Sequence, residues 1–112
     1  MQLNPSNIAR IESACNVISD VMITAIFRGR FSDVRLIRSV EEIEAIHENL
    51  PPAFLPFMTE RQVDSIDIYA FDVEDEAGCR IVVWNDHAVV ADWPSFTEFI
   101  DWIRGGPATP QR

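Results

Sequence analysis

The sequence predicts one α+β domain, with two N-terminal helices and a C-terminal helix around a central antiparallel sheet of about four or five strands. Three observations predict it. The chain has 112 residues, 47% of them apolar, which is the size and composition of one globular domain. Two capping boxes, Ser39-Val40-Glu41-Glu42 and Ser95-Phe96-Thr97-Glu98, announce helices. Between them lie short β-branched and aromatic runs punctuated by turn residues. Residues 1–104 therefore read as a single domain. Residues 105–112 (Gly-Gly-Pro-Ala-Thr-Pro-Gln-Arg) have almost nothing apolar to bury and read as a flexible tail.

Pro5 stands just outside a first helix that Ser6 or Asn7 caps. Ile8, Ile11, Ala14, Cys15, Ile18, Val21 and Met22 fall at helical spacing, so the helix runs to about Asp20 or slightly beyond. The stretch Val21-Met22-Ile23-Thr24-Ala25-Ile26-Phe27 is rich in β-branched residues and reads equally as strand. Arg28-Gly29-Arg30 breaks the element, and Asp33-Val34-Arg35-Leu36-Ile37-Arg38 alternates as a short strand. The Ser39 box opens a second helix, with Val40, Ile43, Ala45, Ile46 and Leu50 inward, which must stop before Pro51-Pro52.

Phe54-Leu55-Pro56-Phe57 reads as an edge strand or an extended segment, because Pro56 cannot donate into a ladder. Ile66, Ile68, Ala70 and Asp72 share one face of the next strand, and Asp67, Tyr69, Phe71 and Val73 share the other. Glu74-Asp75-Glu76-Ala77-Gly78 is a turn, Cys79–Trp84 a strand, Asn85-Asp86-His87 a turn, and Ala88–Ala91 the returning strand. The Ser95 box then opens a helix with the stripe Phe96, Phe99, Ile100 and Ile103, ended by Gly105 at C′.

The net charge is −9, unevenly placed. Residues 1–40 carry five Arg against three acids, and residues 41–112 carry four Arg against fifteen. All nine cations are arginine. This balance excludes direct nucleic-acid binding and an anionic membrane surface as expected partners, and suits a basic protein partner. The start Met1-Gln2-Leu3-Asn4-Pro5 has neither a basic nor an apolar signal region, and no apolar run reaches the length of a membrane span, so a cytoplasmic address is expected. Cys15 and Cys79 lack CxxC spacing. Two buried thiols are the preferred reading, and a disulfide is the alternative.

Nothing in the residues spells catalysis, and neither an enzyme nor a cofactor is expected. His47 and His87 are the only histidines, with no HxxxH or Cys/His cluster, so no metal site is expected. Asp86 and Asp92 are a conceivable carboxylate pair, though eighteen acids place two together readily by chance. No GxSxG or P-loop pattern appears.

Binding is a better reading. Glu60, Asp64, Asp67, Asp72, Glu74, Asp75 and Glu76 crowd one stretch with only Arg61 against them. They serve either to steer a basic partner or to solvate a sheet edge. Trp84, Trp93 and Trp102 are core residues or interface anchors, and Trp102, flanking the helical stripe, is the one expected to be partly exposed. Phe54-Leu55-Pro56-Phe57-Met58 reads as a possible exposed patch. The expected partner-binding set is Asp67, Asp72, Glu74, Asp75, Glu76, Asp86, Asp92 and Trp102.

Residues 54–103 resemble the SUKH superfamily. The residues that carry the resemblance are Leu55-Pro56, Tyr69-Ala70-Phe71-Asp72, Trp84-Asn85-Asp86-His87, and Ala91-Asp92-Trp93-Pro94-Ser95-Phe96-Thr97-Glu98-Phe99. The family's Leu-Pro-x-x-Tyr element and Asn-Gly turn are not evident in residues 1–50. The resemblance implies a bacterial immunity protein that neutralises a toxin domain, such as a basic nuclease, by steric and electrostatic occlusion. The alternative is an acidic inhibitor or adaptor of a nucleic-acid enzyme, such as a phage-encoded nucleic-acid mimic.

Overall fold

The computed structural model describes residues 5–27, 33–37, 39–75 and 80–105, with side chains described as far as residue 20 in the first helix. Its order is α1 (Pro5–Phe27), β1 (Val34–Leu36), α2 (Val40–His47), β2 (Phe54–Arg61), β3 (Ile66–Asp72), β4 (Ile81–Asn85), β5 (Ala88–Trp93) and α3 (Phe96–Ile103). The expected α+β class holds. The strands form one antiparallel sheet in sequence order, β1-β2-β3-β4-β5, a five-stranded meander with helices against it.

Among the described residues α1 spans Pro5–Phe27, so Pro5, Ser6 and Asn7 lie inside it rather than at a cap. Ile11, Ala14, Cys15 and Ile18, spaced three and four apart, are its buried stripe. The β-branched run at residues 21–27 continues the helix rather than starting a strand. Extending an existing helix adds a hydrogen bond for each residue fixed, which outweighs the small propensity cost of Val, Ile and Thr. The thiol of Cys15 is buried, 3.7 Å from the carbonyl of Ile37 and 3.8 Å from that of Phe57. Cys79 and the tail at residues 106–112 lie outside the described residues.

Both capping boxes form. Ser39 Oγ accepts from the Glu42 N–H at 3.1 Å, and Ser95 Oγ accepts from the Glu98 N–H at 3.2 Å. α2 ends at His47, burying Ile43 and half-burying Ile46, while Val40 and Ala45 are exposed. α3 buries Phe99, Ile100 and Ile103, and Gly105 takes the positive φ of 89° that a C′ glycine supplies. In the β4–β5 turn, Asp86 and His87 both have positive φ, as a two-residue hairpin loop of the primed type requires.

β2 corrects an expectation. It is an interior strand paired with both β1 and β3, not an edge. Pro56 is accommodated because β1 stops at Leu36, opposite Met58, and because the β2–β3 register shifts between Pro56 and Met58. That bulge turns Phe57 and Met58 together toward the helices, opposite the single residue Tyr69. The expected exposed patch at Phe54–Met58 is therefore mostly core, with Leu55, Phe57 and Met58 fully buried.

The core lies on one face of the sheet. Leu55, Phe57, Met58, Tyr69, Phe71, Ile81, Val83, Ala91 and Trp93 meet the buried residues of all three helices there. Phe99 is its hub, with ring centroids 4.8 Å from Trp93, 5.8 Å from Tyr69 and 6.0 Å from Phe57. Burying each such ring contributes about 2–3 kcal/mol. At the margin of this face Tyr69 Oη donates to Glu60 Oε1 at 3.2 Å, and both residues are buried.

Burial raises the Tyr69 phenol pKa far above its ordinary value, and the charges of Glu60 and Asp67 and the bond to Glu60 raise it further. A raised folded-state pKa means that the folded chain keeps a proton the unfolded chain sheds. This stabilising term is complete below the ordinary tyrosine pKa of about 10 and is lost progressively as pH climbs above it. Tyr69 is the only tyrosine, so the tyrosinate band in an ultraviolet difference spectrum reads it alone, the tryptophans not ionising. Tyrosinate absorbance should appear only together with unfolding in alkali. Tyr69→Phe should cost about 1–2 kcal/mol in urea unfolding at neutral pH and flatten the fall in stability above pH ~10.

Candidate functional site

The pleat of the sheet leaves a second face, and its residues belong neither to the core cluster nor to the side chains packed against it. β3 presents Ile66, Ile68, Ala70 and Asp72 there, β4 presents Val82 and Trp84, and β2 presents Phe54. Phe54 pairs with Asp72, and Trp84 with Ile68, so Ala70 lies between them on the central strand. Because Ala70 is small, the two rings meet across it, with centroids 5.9 Å apart in an edge-to-face arrangement. Ala70 and Val82 are fully buried, Phe54, Ile68 and Trp84 are half-buried, and Ile66 is 51% and Val89 39% exposed. Val63, in the β2–β3 turn, is 99% exposed.

The expected acidic set is divided by this geometry. Asp72, at the end of β3, and Asp92, on β5, both hold Arg80, which enters β4. Arg80 donates from Nη1 to Asp72 Oδ2 at 3.0 Å and from Nε to Asp92 Oδ2 at 2.7 Å. The Arg80 N–H donates to Asp75 Oδ2 at 3.2 Å, and the Glu74 N–H donates to Asp72 Oδ1 at 3.1 Å. The Glu74 side chain is exposed. Partial burial lowers the Arg80 pKa, but the bonds and charges of Asp92 and Asp72 outweigh it, and the net direction is upward. At this end, then, one guanidinium is shared by two of the carboxylates, Asp72 and Asp92, while Glu74 stays exposed.

Asp67 sits at the opposite end of β3, roughly 16 Å away along the strand. It accepts from Gln62 Nε2 at 3.0 Å and from Asn85 Nδ2. Asn85 Nδ2 also donates to Ser65 Oγ at 3.0 Å, tying the β2–β3 turn to the β4–β5 turn. Asp86, in the second of these turns, is exposed, as is Asp64 in the first. Trp102 lies on the helix side, half-buried, with its ring 5.0 Å from Trp93 and 6.4 Å from Phe99. Glu76 lies outside the described residues.

The structure thus gathers Asp72, Glu74, Asp75 and Asp92 at one end and Asp67 and Asp86 near the other, with Trp102 apart from both. Asp86 and Asp92 do not face each other as a pair, since they lie at opposite ends of β5 and Asp92 is bonded to Arg80. His47 Nε2 lies 3.1 Å from the Pro52 carbonyl, and His87 is exposed in its turn. Among the described residues no three His, Cys, Asp or Glu side chains converge on a metal position, and no helix is long and apolar enough to cross a membrane. Sequence reasoning missed Arg80 and Ala70. The signal for Arg80 was a lone cation directly after an acidic turn, and for Ala70 a small residue alternating with large ones.

No family model, curated protein or solved structure matches the chain.

Arg80 holds the β3–β4 turn and β5 together, so its loss leaves Asp72 and Asp92 close without their shared cation. Arg80→Leu should lower stability by about 1–3 kcal/mol in urea unfolding. About 1 M salt should restore part of that loss by screening the two carboxylates.

Proposed function

We propose that this chain is a protein-binding domain of the immunity type, which neutralises a basic toxin domain, of nuclease character, by covering its working surface. The observation that carries the reading is the second sheet face, where the Phe54–Trp84 pair and Ile68 stand half-buried outside the core. An aromatic centre with a polar rim is the usual anatomy of a protein interface, and aromatic anchors supply most of its affinity. The rim here carries Asp64 and Asp86 at one end and Glu74 at the other, with Arg61 beside Ile66 among them, on a chain of net charge −9. Carboxylates so placed steer a basic surface and disfavour nucleic acid or another acidic protein.

The rival reading, a nucleic-acid mimic, calls for a row of free carboxylates spaced like phosphates. Asp72 and Asp92 are instead held by Arg80, which weakens that reading.

Capture from the source cells should recover a basic protein that arrests growth when expressed alone and is harmless when this chain is co-expressed. Trp84→Ser removes one ring of the anchor, and Ile66→Lys places a cation on an exposed position of the same face. Each should abolish rescue while the chain stays folded by circular dichroism. Rescue that survives both substitutions, or a recovered partner without toxicity, would sink the proposal.

A further inference from the structure

We propose that the outer edge of β5 is a docking site for an extended, basic segment of the partner, which joins the sheet as a sixth strand. The inference rests on the reading of this chain as a binder of a basic protein, and it adds the element that makes the contact.

The two edges of the sheet are built differently. β1 has three residues, and its Arg35 guanidinium pairs with Glu42 of α2, so this edge is short and flanked by a charged pair. β5 has six residues, Ala88–Trp93, and among the described residues pairs with β4 alone. Among the described residues, no backbone hydrogen bond leaves its outer side. It contains neither lysine nor proline, and its one charge, Asp92, is held by Arg80 at 2.7 Å. Val89 and Val90 are 39% and 41% exposed. A strand that displays unpaired amides between exposed valines is a template for strand addition.

Charge decides the occupant. Two copies of this chain would each bring a net −9 to the contact, which opposes self-pairing. The β4–β5 register shift that makes Val90 an extra residue also interrupts a long, regular pairing of two identical edges. A short basic segment meets neither obstacle. Exposed carboxylates flank the edge: Asp86 stands in the preceding turn, and Glu98 lies one helical turn before Trp102 on the flank of α3 that reaches Trp93. An added strand would alternate its side chains between that flank and Val89, so residues alternating basic and apolar fit best.

The probe is an acetylated, amidated hexapeptide alternating arginine and valine, titrated against the whole chain. The control is the same peptide N-methylated at alternate residues, which keeps the charge and removes the donors a strand needs. Amide hydrogen exchange should slow by about tenfold or more at residues 88–93 with the first peptide and stay unchanged with the second. Val90→Lys should weaken binding by roughly tenfold or more. Val40→Lys, which changes net charge equally on α2, should leave affinity within about twofold. Equal binding of both peptides would reduce the effect to charge and overturn the proposal. So would protection confined to β3 and β4, or β5 protection arising from a dimer of the chain before any peptide is added. The peptide assay uses no toxin, so its failure leaves growth rescue through Trp84 standing. Failed rescue with β5 protection intact removes the toxin and keeps the edge.

Discussion

β3 is the central strand of the sheet, and its two-residue pleat sends Tyr69 and Phe71 into the aromatic core and Ile68, Ala70 and Asp72 to the opposite face. Both faces are therefore fixed by one register. A slip of one residue would exchange them, placing Asp72 against Phe57 and Phe96 and turning Tyr69 to the opposite face. The core side prevents that slip, because Phe57, Tyr69, Trp93 and Phe99 interlock at centroid distances between 4.8 and 6.3 Å. The geometry of the second face is thus held from behind, by buried side chains.

Arg80 performs a comparable task at one end of the sheet. Crowded carboxylates repel one another, and without a cation the β3–β4 turn and β5 would be pushed apart. One guanidinium satisfies Asp72 and Asp92, and its backbone N–H satisfies Asp75. The result redistributes the acidity. Asp72 and Asp92, far apart in sequence, share one guanidinium, while Asp64, Glu74 and Asp86 are exposed.

What was legible in the sequence follows from the range of each interaction. Capping boxes are local, and Ser39 and Ser95 bond as their spacing requires. The alternation of Ile66 to Val73 is local too, and it separates the two faces correctly. Pro56 was misjudged as an edge marker because its tolerance depends on where β1 ends and where the bulge falls, which are properties of pairing between strands. The acidic cluster was legible as composition, but its division into two groups needed the β3–β4–β5 register and Arg80. The run at residues 21–27 has strand-forming side chains, yet it continues a helix already nucleated upstream.

The inequality of the two sheet edges sets how far association can propagate. A head-to-tail array would need the long edge of one chain to meet the short edge of the next, and three residues with an exposed arginine give such a joint little to hold. Growth by sheet extension at the β5 edge would therefore end after one addition. An assembly made through that edge would have a definite stoichiometry rather than the open-ended order of a fibre.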